Sequence, residues 1–265
     1  MAGLAINLFG TFQVTLDHRP VHFATEKCRA FLAYLAVEAE RPHRREVLSD
    51  LFWPEQPETA ARTNLRQTLH RLRSAVGDLS NSSPFLLVSN HDVQINPAGK
   101  YWLDVAGFET ALHAYQFHCG QGLPLCSNCQ EALKAAVALY EGDFMAGFSL
   151  TDNSPFELWR LAKREHYHRQ AMETLERLAQ FYEETADFAR AVECARRLII
   201  FESWWEEYHR LLMRNLAHAG QRQAALTQYE QCRQELAKEL GVEPSAETQE
   251  LYEAIRDLES AALEE

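Results

Sequence analysis

The chain has 265 residues, of which 46% are hydrophobic and 24% charged, and it carries a formal net charge of −12. This length holds two domains with full cores, and the composition is that of an ordinary globular protein. The sequence has no apolar run of about 18 residues, and residues 1–9 lack the basic and apolar regions of a signal peptide. We therefore expect no transmembrane helix, and six cysteines without a secretory signal indicate a reducing compartment with free thiols or a bound metal. We expect a cytoplasmic protein with no membrane contact.

The N-terminal third begins with short apolar runs separated by turn residues and then changes to helical periodicity. The pattern predicts strands at residues 4–9, 11–16 and 21–23 and helices at residues 26–38, 44–52 and 58–76. Thr25 is a good N-cap for the first helix, and Gly77 is a good C-cap for the third. In the second helix, we expect Val47, Leu48 and Leu51 to face the core.

The third helix carries four arginines and no acid between residues 62 and 73. Its apolar residues share a sector of roughly 60° at about 100° per residue, so they form one buried face; they are Leu65, Leu69, Leu72 and Val76. The rest of the helix then shows water a basic, amide-rich surface. Arginine suits guanine edges and phosphate, and asparagine and glutamine suit adenine. The predicted DNA contacts are Arg62, Thr63, Asn64, Arg66, Gln67, His70, Arg71 and Arg73. The alternative is a solvated surface helix, for which such charge is ordinary.

After a polar loop, residues 85–89 and 93–96 form two short apolar runs around a turn at residues 90–92. This pattern predicts a β-hairpin. Three helices followed by a hairpin describe a winged helix-turn-helix, in which the third helix enters the major groove and the hairpin lies near the minor groove. His91 is the one cation candidate at the hairpin tip, and we include it as a weaker DNA contact.

Several segments closely resemble the SARP-type transcriptional activators of bacteria. The resemblance lies in residues 26–35, 45–53, 61–65 and 71–73, in the junction at residues 102–105, and in the segments LYEGDF at 139–144 and ELGVEPS at 239–245. It implies a winged helix-turn-helix with an N-terminal sheet, followed by a helical bacterial transcriptional activator domain. It also implies binding to direct repeats near promoters and recruitment of RNA polymerase holoenzyme. Relatives often continue into an ATPase region, so the chain is either a short member or the N-terminal part of a longer regulator.

The C-terminal part has its own signals. Residues 1–104 contain 11 basic and 11 acidic residues, whereas residues 105–265 contain 15 and 27. A shift of 34 residues, the tetratricopeptide period, aligns five helical positions, among them Ala191 with Ala225. Small residues at this position suit two closely crossing helices. We predict a mostly α fold with a small β component: a winged helix-turn-helix domain at residues 1–100 and an all-α, tetratricopeptide-like domain at residues 101–265.

One cluster of metal-ligating residue types lies around the loop at residues 118–129. Cys119, Cys126, Cys129 and His118 form a candidate zinc site, because thiolates and imidazole are the usual ligands of structural zinc. The alternative is a set of reduced cysteines that fill a helical junction. The sequence has no phosphate-binding loop and no nucleophile elbow, so we expect no enzyme.

The sequence therefore predicts a DNA-binding transcriptional activator whose partners are double-stranded promoter DNA, RNA polymerase and, as a further option, a second copy of the chain. The only cofactor considered is a structural zinc ion. The rival hypothesis is a tetratricopeptide-like adaptor that does not bind DNA. The arginine-rich surface of the third helix discriminates between them, because it has no role in an adaptor.

Overall fold

The computed structural model describes residues 3–79, 83–118, 126–151 and 153–262. Its strands are β1 (Leu4–Asn7), β2 (Gln13–Leu16), β3 (Arg19–Pro20), β4 (His43–Arg44), β5 (Leu86–Val88), β6 (Asp92–Ile95) and β7 (Tyr101–Leu103). Its helices are α1 (Glu26–Val37), α2 (Arg45–Phe52), α3 (Glu58–Ala75), α4 (Asp104–His118), α5 (Ser127–Leu139), α6 (Ser154–Glu184), α7 (Phe188–Phe201), α8 (Glu206–His218), α9 (Arg222–Glu239) and α10 (Ala246–Ala262). The predicted fold class, mostly α with a small β component, is confirmed.

The chain forms two compact units. Unit 1 comprises residues 1–114 and 135–169, and unit 2 comprises residues 115–134 and 170–265. Residues 135–169, which the sequence assigns to the second domain, thus cluster with the N-terminal strands and helices. Within the described ranges, no helix is both long enough and apolar enough to cross a membrane.

Unit 1 begins with a four-stranded sheet of order β3-β2-β1-β7. The predicted strand at residues 21–23 is wrong, because Asp17 and His18 adopt positive φ angles of 51° and 64° and form a tight turn. The chain therefore returns early, and the third strand is Arg19–Pro20. Strand β7, which the sequence does not predict, pairs in parallel with β1.

In chain order, the predicted winged helix comes between β3 and β7, the two outer strands of this sheet. Helix α1 is capped by Thr25, whose side chain accepts a hydrogen bond from the backbone N–H of Cys28. Helix α2 buries Leu48 and Phe52, but Val47 is 52% exposed, so its predicted inward position is wrong. Strands β4, β6 and β5 form the second sheet, which contains the predicted hairpin.

The rest of unit 1 packs around an aromatic cluster. The centroid of the Phe9 ring lies 5.3 Å from that of Phe108, 5.0 Å from that of Tyr140 and 5.6 Å from that of Tyr167. All three contacts are edge-to-face. Such contacts stabilise a core by about 0.5–1.5 kcal/mol each beyond the burial of apolar area. Asp104 ties the same region together, since its carboxylate accepts hydrogen bonds from the backbone of Leu8, Phe9 and Val105. Burial nevertheless raises the pKa of Asp104 above its ordinary value.

Unit 2 is built from helices α7 to α10 with the C-terminal part of α6 and the N-terminal part of α5. Ala191 in α7 and Ala225 in α9 have no exposed surface, as the 34-residue pattern predicts for closely packed positions. Asn215 in α8 donates a hydrogen bond of 2.8 Å to Glu183 in α6, and Tyr208 in α8 donates one of 2.6 Å to Glu176 in α6. The architecture agrees with paired helices of the tetratricopeptide type.

Candidate nucleic-acid interface

Helix α3 has the two faces that its sequence predicts. Leu65, Leu69 and Leu72 are buried, and so is Val76 just after the helix. Full burial of such a side chain contributes about 1.5–3 kcal/mol, so these residues fix how the helix is rotated on unit 1. Rotation about the helix axis then decides which polar side chains reach solvent.

Four polar residues of α3 form an open surface, which we call the basic face. They are Arg66, Gln67, His70 and Arg71, and all four are exposed. Within the described part of the chain, none of them makes a hydrogen bond or an ion pair. No acidic residue lies between Glu58 and Asp78. The donors of the basic face are therefore available to an external acceptor such as phosphate or a base edge.

The other predicted contact residues of α3 lie in different surroundings. Arg62 pairs with Glu58 at 2.6 Å and lies 3.8 Å from Glu46, so acids already neutralise part of its charge. Thr63 and Asn64 are half-buried. The Thr63 hydroxyl donates a hydrogen bond of 2.9 Å to the carbonyl of Thr59, which leaves only its lone pairs for a ligand.

Arg73 points away from the basic face. Its Nε lies 3.9 Å from Oδ2 of Asp78, whose side chain is fully buried, and this Nε is itself buried without a hydrogen bond. The Asp78 carboxylate also accepts hydrogen bonds from the backbone of Phe85 and Leu86, where the hairpin begins. Arg73 therefore lies at the connection between the end of α3 and the hairpin.

The hairpin tip is fastened to the start of α2. Arg45 Nη1 donates a hydrogen bond of 3.1 Å to the carbonyl of Ser89, and the Arg45 backbone N–H donates one of 2.9 Å to the carbonyl of His91. The Ser89 hydroxyl accepts from the backbone of His91 and Asp92 and closes the turn. The predicted contact residue His91 is exposed at this tip.

A groove of about 310 Å³ joins these elements. It is lined by Arg45, Glu46, Arg62, Leu65, Arg66 and Asn90. Arg45 and Asn90 belong to this surface, although the sequence pattern does not predict them. The adjacent basic residues Arg44 and Arg45 at the start of α2 were the available signal, but only the fold brings Arg45 beside the hairpin tip.

The predicted zinc ligands lie partly outside the described residues, namely Cys119 and the side chain of His118. Cys126 Sγ lies 3.1 Å from Cys129 Sγ, within hydrogen-bond distance for two sulfur atoms. No group of three or more ligating side chains occurs among the residues that the structure describes. The zinc site stays a prediction.

A winged helix-turn-helix joined to paired helices defines a class of bacterial transcription regulators. The profile of the bacterial transcriptional activator domain matches residues 103–256. The chain belongs to this family, the SARP-type transcriptional activators. The family comprises regulators of transcription and not enzymes.

Known relatives and a solved structure agree with this assignment. The chain is 27% identical to the regulatory protein AfsR of Streptomyces coelicolor, over 98% of this chain and 25% of AfsR. It is 26% identical to the regulatory protein DnrI of Streptomyces peucetius, over 95% of this chain and 92% of DnrI. The structure of Mycobacterium tuberculosis EmbR in complex with a low-affinity phosphopeptide has a similar fold, with a TM-score of 0.65 and 21% identity over 96% of this chain and 65% of that one. The chain thus spans about a quarter of AfsR.

Proposed function

We propose that this protein binds promoter DNA through the basic face of α3 and activates transcription by recruiting RNA polymerase. The observation that carries the proposal is the unpaired state of Arg66, Gln67, His70 and Arg71 on one exposed helix surface. An adaptor gains nothing from such a surface, whereas a DNA reader needs unpaired donors that face the groove.

In the proposed complex, α3 enters the major groove. Arg66 and Arg71 supply charged donors to guanine edges or phosphates, and Gln67 supplies an amide suited to adenine. The groove around Arg45 and Asn90 places further donors beside the hairpin tip. Because Arg45 already holds the carbonyl of Ser89, a phosphate there would also stabilise the hairpin relative to α2.

The acidic C-terminal half has a different role in this proposal. Residues 105–265 contain 27 acidic and 15 basic residues, a balance that repels phosphate and favours basic protein surfaces. The paired helices present protein-binding surfaces, as such arrays generally do. We assign to them the contact with RNA polymerase and the arrangement of protomers on repeated half-sites.

DNA binding is tested with the full chain and an operator selected from random duplexes, by fluorescence anisotropy at fixed salt. Arg71→Ala and Arg66→Ala should each weaken operator binding by about 1–3 kcal/mol if the arginine contacts a base. Arg196→Ala, which removes an exposed arginine from α7, is the matched control and should bind like the parent. If the α3 variants bind as tightly as the parent, the adaptor hypothesis replaces this one.

Activation is tested separately by transcription in vitro with purified RNA polymerase and the same operator. The parent should raise transcript yield, and the Arg71→Ala protein should lose this effect at concentrations that saturate the parent. Operator binding without any rise in transcript yield would retain the DNA-binding part and reject polymerase recruitment.

A further inference from the structure

A second concave surface of unit 1 has no part in the proposed DNA contact. It is a cavity of about 390 Å³ at the carboxyl ends of the parallel strands β1 and β7. The residues that line it include Asn7, Thr11, Gln13, Trp102, Asp104 and Glu141. The volume lies within the range of small-molecule sites, and the carboxyl ends of adjacent parallel strands are a frequent location for them.

The frame of this cavity is held by backbone hydrogen bonds. The Gly10 N–H donates to the carbonyl of Asp143 at 3.0 Å, and the Ala146 N–H donates to the carbonyl of Gly10 at 2.9 Å. A Cβ on Gly142 would lie 3.2 Å from the Gly10 Cα, so the two segments approach as closely as glycines allow. The walls are thus fixed relative to each other, and a ligand need not order them on binding.

The electrostatics of the cavity disfavour an anion. The N-terminus of α4 would ordinarily attract one, but the Asp104 carboxylate already accepts the N–H groups of Val105, Leu8 and Phe9. Glu141 is exposed, and its side chain forms no ion pair or hydrogen bond within the described ranges. None of the residues that line the cavity is a lysine, arginine or histidine. The local field therefore favours a positive ligand.

The remaining side chains offer an aromatic face and unused acceptors. Trp102 is 45% exposed and pairs across the sheet with Ala5, which has only a methyl side chain to cover the indole. Asn7, Thr11 and Gln13 make no side-chain hydrogen bond in the part of the chain that the structure describes. An indole face and a carboxylate that line the same cavity are a favourable combination for an ammonium or guanidinium group.

We propose that this cavity binds a small organic cation, an ammonium or guanidinium group on a flat apolar body. The cation lies near Glu141 and the Trp102 face, and the amides of Asn7 and Gln13 accept its remaining N–H groups. This site is independent of the basic face of α3, so its failure would not affect the proposed DNA binding.

The test uses the full chain and three probes of similar shape: tryptamine, which is cationic, indole-3-acetate, which is anionic, and 3-methylindole, which is neutral. Titration calorimetry in about 0.15 M salt should detect tryptamine binding, because salt weakens but does not abolish charge contacts inside a cavity. It should detect no indole-3-acetate binding, because the cavity is lined by carboxylates and by no basic residue. Glu141→Gln and Trp102→Ala should each weaken tryptamine binding by about tenfold, the size expected of one partly desolvated cation–aromatic or ion contact.

Two controls keep the test decisive. Glu250→Gln and Trp204→Ala remove the same residue types from α10 and from the connection before α8, and both should leave tryptamine affinity unchanged. Gln13→Lys supplies an internal cation at the cavity and should abolish binding while Trp102 and Glu141 remain in place. Equal binding of the three probes, or tryptamine affinity that none of the cavity variants changes, would overturn the proposal.

Discussion

Ala186 in the turn between α6 and α7 and Gly220 in the turn between α8 and α9 occupy equivalent positions, 34 residues apart, with φ angles of 56° and 72°. After Ala186, the N–H of Asp187 donates to the carbonyl of Tyr182 at 2.8 Å. After Gly220, the N–H of Gln221 donates to the carbonyl of Leu216 at the same 2.8 Å. Both turns are Schellman motifs, and the repeat that the sequence predicts is therefore also a repeat of backbone hydrogen bonds.

The first prediction concerns this turn. Ala186→Gly should raise the free energy of unfolding by about 0.5–1 kcal/mol, because a left-handed conformation strains an alanine and not a glycine. Gly220→Ala should lower it by a similar amount. Urea unfolding followed by circular dichroism measures both changes.

A third variant provides the control for the general effect of glycine. Ala217→Gly places glycine in the last turn of α8, where the conformation is helical, and should destabilise by up to about 1 kcal/mol. If Ala186→Gly and Ala217→Gly change the free energy of unfolding in the same direction, the effect of Ala186→Gly does not come from the left-handed conformation of residue 186.

The second prediction concerns a buried histidine in unit 2. His209 Nε2 lies 2.8 Å from the carbonyl of Ser203, and His209 Nδ1 lies 2.8 Å from Nε2 of Gln228. Nε2 therefore donates and Nδ1 accepts, which is the pattern of a neutral ring. Burial lowers the pKa of His209, although the hydrogen bond to Ser203 and the nearby Glu235 and Glu206 oppose this change.

The sign of the pH effect follows from proton binding. In the unfolded chain, His209 takes up a proton near its ordinary pKa of about 6.5, whereas the folded protein holds it neutral to lower pH. The stability that His209 contributes is therefore present above about pH 6.5 and lost as the pH falls through the folded pKa. From pH 7.5 to 5.5, the loss should reach at most about 1.4 kcal/mol.

His209→Gln isolates this effect from the carboxylates, which titrate at lower pH. The difference in the free energy of unfolding between the parent and His209→Gln should be smaller at pH 5.5 than at pH 7.5, as measured by urea unfolding. His113→Gln, which removes an exposed histidine from α4, should show a constant gap. A constant gap for His209→Gln as well would contradict the neutral, buried state.

The third prediction separates two arginines of α3 that the sequence treats alike. Arg73→Ala should cost about 1 kcal/mol of stability, because Asp78 then lacks its cation, but it should change operator affinity less than threefold. Arg71→Ala should leave the free energy of unfolding nearly unchanged and should weaken operator binding by about 1–3 kcal/mol. Parallel denaturation and anisotropy measurements on the two variants decide this, and a large loss of affinity in Arg73→Ala at unchanged stability would place Arg73 on the DNA.

These contrasts show what local sequence patterns can predict. The buried face of α3 follows from the spacing of Leu65, Leu69 and Leu72, and the start of α1 follows from the capping chemistry of Thr25. Both features depend on residues within a few positions of each other. Periodicity also predicts which side of α3 is polar, and four of its polar residues are exposed and unpaired.

Features that depend on distant residues were not predictable in the same way. Strand β7 exists because it pairs with β1, nearly 100 residues earlier, and its three residues are too few to show the alternating pattern of a strand. Arg73 leaves the basic face because Asp78 is fixed by the hairpin backbone. Val47 has an apolar side chain, but the rotation of α2 is set by Leu48 and Phe52.

The last prediction concerns where the DNA-binding part of the chain can be cut. A fragment of residues 1–100 ends at the boundary that the sequence suggests, but it lacks β7 and Asp104. Leu8 and Phe9 would lose their carboxylate acceptor, and the Phe9 ring would lose Phe108 and the other aromatic partners. Each buried backbone N–H left unpaired costs about 1–3 kcal/mol, a large share of the stability of a small domain.

We therefore expect residues 1–100 to show no cooperative thermal transition and to bind DNA weakly. A fragment of residues 1–169 contains all of unit 1, including the aromatic partners Tyr140 and Tyr167, and should melt cooperatively. It should also keep the basic face and bind a single half-site about as well as the whole chain, because the residues of the basic face precede residue 100. Differential scanning calorimetry and anisotropy on both fragments provide the comparison. A cooperatively folded fragment of residues 1–100 with full half-site affinity would show that the aromatic cluster is dispensable for the winged helix.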